Sequence, residues 1–399
     1  MSRKISLTEF IILIALLTSL PALAIDAMLP AFKQMSLDLN MANPNSIQLI
    51  IPILFLGLSI GQLIFGPLSD SLGRKPLIYL GLGIFMLGSA ISLFSTNFTA
   101  MLVGRFLQGL GAAAPRIIST AVVRDLYSGR EMAKIMSFTM MVFILVPAIA
   151  PLMGQGVLLF ASWHAIFISF LVIALIITIW FGLRLDETLK PENRRAFSVT
   201  NLVAAAKEVL TNKVTMGYTV GSGLIFGAFM GYLTSSPQIL QQQYGLGDQF
   251  PFYFGALAIS LGAASFLNAK LVMRYGMKLL STIAIRTFTG LALVFLIIAY
   301  LQNGQPPLWQ LMTYLLLSFF TVGLLFGNLN ALAMEPLGHI AGIGASIIGS
   351  ASSLFAIPLG TLIGQSYNGT IIPMTIGFCV LGCLTALSLK WARNQTVKV

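Results

Sequence analysis

Apolar stretches of about twenty residues, interrupted by Pro, Gly, Asn and charged residues, recur along the whole chain. A bilayer-spanning helix needs about 20 mainly apolar residues. On that length the pattern predicts helices over 7–29, 47–68, 77–95, 99–122, 133–157 and 163–185, then over 214–236, 250–273, 279–301, 307–331, 337–363 and 371–391. The two sets of six are separated by the one long charged stretch, which holds Glu187, Lys190, Glu192, Arg194, Arg195, Lys207 and Glu208. The expected architecture is an all-α polytopic membrane protein of twelve transmembrane helices in two pseudo-symmetric six-helix bundles. These occupy 1–185 and 214–399, joined by a cytoplasmic linker over 186–213.

Composition narrows this further. Of 399 residues, 57% are apolar and 9% charged, far from the roughly 25% charged content of a soluble domain. Twelve spans leave no room for a separate catalytic or DNA-binding domain. The formal net charge of +11 could indicate nucleic acid, but the 23 Lys and Arg are scattered among apolar segments. Their placement reports topology. With a cytoplasmic N-terminus, the inside segments hold Arg3, Lys4, Arg74, Lys75, Arg124, Arg130, Lys134, Arg184, Lys190, Arg194, Arg195, Lys207, Lys213, Lys270, Arg274, Lys278, Lys390, Arg393 and Lys398, against Lys33 alone outside. This asymmetry predicts twelve spans with both termini cytoplasmic. A competing reading of the N-terminus is a cleaved secretory signal, with Arg3 and Lys4, an apolar run and Ala22-Leu23-Ala24. Cleavage would leave five spans facing six, so a retained helix explains more. Cys379 and Cys383, four apart in an apolar run, read as packing residues.

One internal repeat emerges at an offset of 203 residues: Gly66 to Leu77 aligns with Ala269 to Leu280, each between the second and third helix of its half. The first copy, Gly-x-Leu-x-Asp-x-x-Gly-Arg-Lys at Gly66 to Lys75, is the most specific short motif. Physically, Gly66 permits close helix approach, Gly73 permits a tight reversal, and Asp70 sits where helix ends and cations can meet it across the domain interface. A turn that only anchors at the headgroups is the plainer alternative.

That motif resembles the cytoplasmic loop signature of the major facilitator superfamily. Arg105-Phe-Leu-Gln108-Gly109-Leu-Gly111 in the fourth span, Pro147 to Gly156 in the fifth, Trp163 to Phe167 and Asp186-Glu-Thr188-Leu extend the resemblance over essentially the whole chain. Together the arginine and Pro/Gly motifs look like the twelve-span drug:proton antiporters. Ile25-Asp26-Ala-Met-Leu-Pro30, Val123-Arg-Asp125-Leu and Gly364 to Pro373 look like the bicyclomycin-resistance (Bcr/CflA) branch. The chain departs from the pattern at Gln155, where a Gly-Pro continuation is usual, and at Thr18, where some relatives carry a glutamate. The resemblance implies that Gly66, Asp70, Gly73, Arg74 and Lys75 form a gate, with Pro147, Pro151 and Gly154 serving the same conformational cycle.

Ionisable residues inside a bilayer are costly and are functional candidates by default. Asp26, Arg105, Arg116 and Arg286 qualify. At 1.5 Å per residue, Asp26 lies roughly 5 Å and Arg105 roughly 9 Å from the outer ends of their predicted helices. The two are therefore expected to form a charge pair facing the cavity. Arg105, Gln108, Ala112 and Arg116 share one helix face. Arg116 and Arg286 can either face the cavity or snorkel to headgroups.

These residues suggest a mechanism. Burial disfavours the charged form of a carboxyl and a neighbouring arginine favours it, so the two effects can poise Asp26 to exchange protons near neutral pH. Asp26 is the expected proton carrier and Arg105 its partner. Protons are the coupling ion and no cofactor is expected. A purely structural Asp26 locking the first span to the fourth is the alternative. An entering proton carries about 2.3 kcal/mol per 100 mV. For substrate contact the candidates are Gln108, Arg116, Met140, Phe143, Tyr218, Phe229, Tyr232 and Asn268, with Asn328 and Asn330 as further hydrogen-bonding groups. Three intramembrane arginines against one aspartate favour neutral or acidic amphiphiles over dications. The expected protein is a proton-coupled multidrug efflux antiporter of the bacterial inner membrane, working as a monomer on amphiphilic small molecules, with no nucleic-acid partner. A metabolite or siderophore exporter on the same fold is the alternative. A channel would need a polar filter, and an enzyme a clustered acid–base or metal constellation; the sequence suggests neither.

Overall fold

Ser6 opens the first helix by accepting the Glu9 amide at 3.2 Å, with Glu9 three residues on in the capping-box position. The helix this starts, α1 (Leu7–Asp26), begins a computed structural model that describes residues 5–194 and 197–396. Arg3, Lys4, Arg195 and Lys398, four of the cations in the charge asymmetry, lie outside the described residues.

The chain divides into two compact units, Met1–Ser198 and Val199–Val399. In the first, α1 is followed by the short α2 (Phe32–Asp38), then α3 (Ile50–Leu72), α4 (Arg74–Leu93), α5 (Phe98–Leu126), α6 (Gly129–Leu158) and α7 (His164–Arg184). The second holds α8 (Val199–Thr211), α9 (Lys213–Ser236, continued by a π-helical turn over Pro237–Gln243), α10 (Phe250–Tyr275), α11 (Met277–Leu301), α12 (Leu308–Met334), α13 (Ala341–Gln365) and α14 (Ile372–Thr396). All helices except α8 lie in stretches long and apolar enough to cross a membrane, with the short α2 closing the stretch that α1 begins and α12 and α13 forming one continuous 58-residue stretch. The protein is thus an all-α polytopic membrane protein with six spans in each unit.

Two features differ from the sequence expectation. The stretch over 186–213 is not a loop throughout. From Val199 it forms α8, which buries Ala205 and Val209 against the second unit and is tied by Glu208 to His339 at 2.8 Å. Its apolar positions lie too sparsely for a span and suit a helix resting one face on protein. Cys379 is buried, but Cys383 is exposed and so is not packing material.

The first unit is built around α5, which packs against both α3 and α4. Close approach of backbones in a membrane bundle needs small residues at the contact. A Cβ on Gly57 of α3 would lie 2.1 Å from the Phe106 carbonyl oxygen, and one on Gly109 of α5 would lie 1.9 Å from that of Leu54. Gly66, expected to serve this purpose, is half-buried, and its carbonyl accepts the Ser69 hydroxyl at 2.8 Å. The internal repeat is visible in the backbone. Gly73 (φ 106°) and Gly276 (φ 75°) each end one helix and begin the next, α3 to α4 and α10 to α11. Left-handed φ at both positions is the physical reason that glycine recurs there.

In the second unit α9 packs against α13 and α14, and α12 against α10 and α11. Rings from α9, α10 and α12 interlock there. Tyr232 meets Phe319 edge-on at 4.8 Å, Phe229 lies 5.5 Å from Phe319 and 6.0 Å from Phe326, and Tyr232 stacks with Phe254 at 6.1 Å.

Candidate functional site

Helix α1 ends at Asp26, so the carbonyls of its last turn lack amide partners within the helix. Arg105 of α5 supplies one. Its guanidinium donates to the Ala24 carbonyl at 3.0 Å, to the Ile50 carbonyl of α3 at 3.3 Å and to Gln108 Oε1 at 2.7 Å. Gln108 in turn donates to Ser89 Oγ of α4 at 2.7 Å, and Ser89 to the Phe85 carbonyl at 2.8 Å. Arg105, Gln108 and Ser89 are each 0% exposed. This continuous buried network, in which a cation meets the negative end of a helix, ties α1, α3, α4 and α5 together.

The expected Asp26–Arg105 charge pair is not formed. Asp26 is buried, at 5% exposure, yet none of the ion pairs among the described residues includes it. The reason is positional: the guanidinium lodges two residues earlier, where three carbonyl and amide oxygens converge. Gln108 is likewise corrected from a substrate-contacting wall to an enclosed bridge between Arg105 and Ser89. Thr18 is buried as well, and its hydroxyl turns back to the carbonyls of Ile14 and Ala15.

The loop motif gathers several helix ends. Arg74 donates to Asp70 at 2.6 Å, to Asp125 of α5 at 3.0 Å and to Ser69 Oγ at 2.7 Å. Glu187, just beyond α7, accepts the amides of Arg74 at 2.9 Å and Lys75 at 3.0 Å, the first two of α4. A carboxylate at a helix N-terminus is in the favourable field. Burial pushes the Glu187 carboxyl up, but amide donation from Leu189, Arg74, Lys75 and Thr188 outweighs it and holds the carboxyl below the ordinary glutamate value. Lys75 Nζ donates to the carbonyls of Gly182 at 3.0 Å and Leu185 at 2.6 Å, capping the end of α7. Every group in this knot belongs to the first unit. Asp70, whose side chain is 40% exposed, meets Arg74 of its own loop.

Sequence reasoning missed a second clamp. Glu9 of α1 accepts both Nε and a terminal nitrogen of Arg184 at 2.5 Å each, and Trp180 Nε1 at 3.0 Å. The Ser6-x-x-Glu9 capping pattern was the available signal that Glu9 sits at a helix start, but nothing in it points to α7. Likewise, Glu187 stands in the sequence as linker charge and within the Asp186-Glu-Thr188-Leu resemblance, and neither points to the start of α4.

The other expected contacts fall into groups. Arg116 and Phe143 are brought together, with the Arg116 Cζ 5.8 Å from the ring centroid and both side chains half-buried. Met140, one turn from Phe143 on α6, is exposed. Tyr218 and Tyr232 are 0% exposed, which corrects them from substrate contacts to packing residues, whereas Phe229 stays half-buried within the ring cluster. Asn268 and Asn328 exchange amide hydrogen bonds at 2.8 and 3.1 Å, linking α10 to α12, while Asn330 is exposed. In α6, Pro147 and Pro151 cannot donate to the carbonyls of Phe143 and Pro147. Gly154 lets α6 approach α1 so closely that a Cβ would lie 1.9 Å from the Ala27 carbonyl oxygen.

Twelve apolar helices in two units, with buried charge confined to helix ends and bundle interior, define a polytopic transport protein. A family model described as Major Facilitator Superfamily matches residues 10–361. The chain is 33% identical to the uncharacterized MFS-type transporter YdgK of Bacillus subtilis, over 91% of this chain and 90% of that one. It is 31% identical to the bicyclomycin resistance protein homolog of Haemophilus influenzae, covering 99% of each. In fold it is similar to the human organic anion transporter MFSD10 (TETRAN), with a TM-score of 0.66 at 18% identity, covering 98% of this chain and 100% of that one. The chain belongs to the major facilitator superfamily, as a transporter.

Proposed function

We propose that this protein exports amphiphilic small molecules in exchange for protons by alternating access. Similarity over nearly full length to a relative named for bicyclomycin resistance supports drug efflux. The observation that carries proton coupling is Asp26, a buried carboxyl at the end of α1, outside every ion pair among the described residues, beside a guanidinium that holds the Ala24 carbonyl. An ionised carboxylate buried without a cation is costly, and a proton removes that cost. When Asp26 loses its proton, Arg105 has a stronger acceptor two residues from the carbonyl it now holds. Moving the guanidinium between Ala24 and Asp26 would loosen the α1–α5 junction in one protonation state and tighten it in the other. The Asp70–Arg74–Asp125 knot and the Pro/Gly-bearing α6 are the gating elements in this reading. The bacterial inner membrane, cytoplasmic termini and a monomeric state complete it.

The test uses purified protein in proteoliposomes with a pH-sensitive dye in the lumen. Bicyclomycin is added to wild type and to Asp26→Asn. Wild type is expected to move protons in proportion to bicyclomycin uptake, and Asp26→Asn to equilibrate the compound without moving protons. Undiminished proton movement in Asp26→Asn would remove Asp26 from the mechanism, and none in wild type would remove antiport itself.

A further inference from the structure

Arg116 differs from Arg74, Arg105 and Arg184 in what its guanidinium meets. Arg105 has three oxygen acceptors, Arg74 two aspartates and Arg184 the carboxylate of Glu9. Arg116 lies ten residues before the end of α5, about 15 Å inside it along the axis and therefore well within the bilayer. No ion pair among the described residues includes it. Its contact is the face of Phe143 on α6, at 5.8 Å.

A guanidinium at that depth cannot be left facing hydrocarbon without a large penalty. Arg116 is nevertheless half-buried rather than enclosed, and an open side turned to water or a bound molecule would avoid that penalty. On the same side α6 presents the Phe143 ring and, one turn earlier, the exposed Met140 thioether. Three chemistries converge: a planar cation that binds carboxylate or sulfonate through paired N–H donors, an aromatic face, and a polarizable chain that adapts to irregular apolar shapes.

We propose that Arg116, Phe143 and Met140 form a subsite for the acidic group of an amphiphilic organic anion. The guanidinium binds the carboxylate or sulfonate, and Phe143 with Met140 receives the apolar body next to it. This rests on the transport reading above and adds the charge class of its cargo. The same Arg116–Phe143 contact serves two purposes: with no cargo bound the ring offsets part of the exposed charge, and with cargo bound it keeps the guanidinium plane turned toward the anion.

The test compares two probes that share one aromatic skeleton, 1-anilinonaphthalene-8-sulfonate and the uncharged N-phenyl-1-naphthylamine. They are titrated by fluorescence into purified full-length protein in phosphatidylcholine nanodiscs, with empty nanodiscs subtracted. Wild type is expected to bind the sulfonate about tenfold more tightly than the neutral probe, the size of one good charged hydrogen-bonding contact. Arg116→Gln should lose about tenfold on the sulfonate and stay within about twofold on the neutral probe, and Phe143→Leu should weaken both. Where Arg116→Gln does not elute as folded protein, Arg116→Lys decides. It keeps the charge but not the paired donors, and a preference reduced at least about threefold supports the subsite. A wild type that binds neither probe, or binds the neutral one as tightly, overturns the proposal, as does an unchanged preference in the folded variant. Asp26→Asn separates this from the coupling reading. Preference kept while proton movement is lost supports both, preference without proton movement in wild type sinks coupling alone, and proton movement without preference sinks the subsite alone.

Discussion

Arg105 reaches α1 at the Ala24 carbonyl, 3.0 Å away, and not at the Asp26 carboxylate two residues further along. The cation therefore caps a helix and braces three others in this state. Structural and coupling roles of the arginine can then be separated by experiment.

Arg105→Gln should destabilise the folded protein by about 1–3 kcal/mol, because the Ala24 and Ile50 carbonyls lose a buried charged donor. Asp26→Asn, which breaks no ion pair and removes a buried carboxyl that has no cation, should leave the protein as stable as wild type or more so. Chemical unfolding of both variants in the same detergent measures this. An Asp26→Asn loss as large as that of Arg105→Gln would mean that the carboxylate is a structural partner.

Gly73 combines φ 106° with ψ 160°, a region essentially restricted to glycine, and a Cβ there would lie 2.6 Å from Glu187 Oε2. Gly73→Ala should cost about 1–3 kcal/mol and release the Glu187 cap, seen as a lower unfolding midpoint and faster amide exchange at Arg74 and Lys75.

The same cap carries a pH dependence. The folded-state pKa of Glu187 is depressed below 4.5, so its contribution to stability is complete above that value and disappears as the pH falls through the folded pKa. The midpoint difference between wild type and Glu187→Gln should be constant near neutrality and shrink below pH 4.5. A difference that grows on acidification would contradict the capping role.

Two glycines of α6 form an internal control. Gly154→Ala forces a Cβ against the Ala27 backbone of α1, whereas a Cβ at Gly156 meets nothing within 4 Å. Gly154→Ala should cost about 1–3 kcal/mol from overpacking. Gly156→Ala should be neutral or stabilising by up to about 1 kcal/mol through helix propensity. Equal effects in thermal unfolding would argue against the α1–α6 contact.

Replacing Asn268 by Leu leaves the Asn328 amide short of a partner, so the single variant should be less stable than wild type by about 1 kcal/mol. Asn268→Leu combined with Asn328→Leu should lose less than the sum of the two singles. Strict additivity in a double-mutant cycle would show that the pair does not interact.

The twelve spans were legible in the sequence because each backbone must satisfy its own hydrogen bonds in lipid, which forces apolar runs of helical length with polar interruptions between them. The Gly73 and Gly276 turns were legible for a related reason: a left-handed φ selects one residue type wherever it occurs. Asp26, Arg105 and Arg116 stood out as candidates because charge within a span is rare. Their partners did not stand out. Whether Arg105 holds a carboxylate or a carbonyl turns on a shift of two residues along α1, and no periodicity records it. Which of Gln108, Tyr218, Tyr232, Phe143 and Met140 would be enclosed was equally unreadable, since all lie on apolar helices and only the neighbouring helix decides which face is covered. Glu9 with Arg184 and Glu187 with the start of α4 join groups more than a hundred residues apart. Local physics along the chain set where the helices run, because the bilayer acts on each segment separately. Packing between distant helices set what each charge holds, because that depends on which helix ends meet.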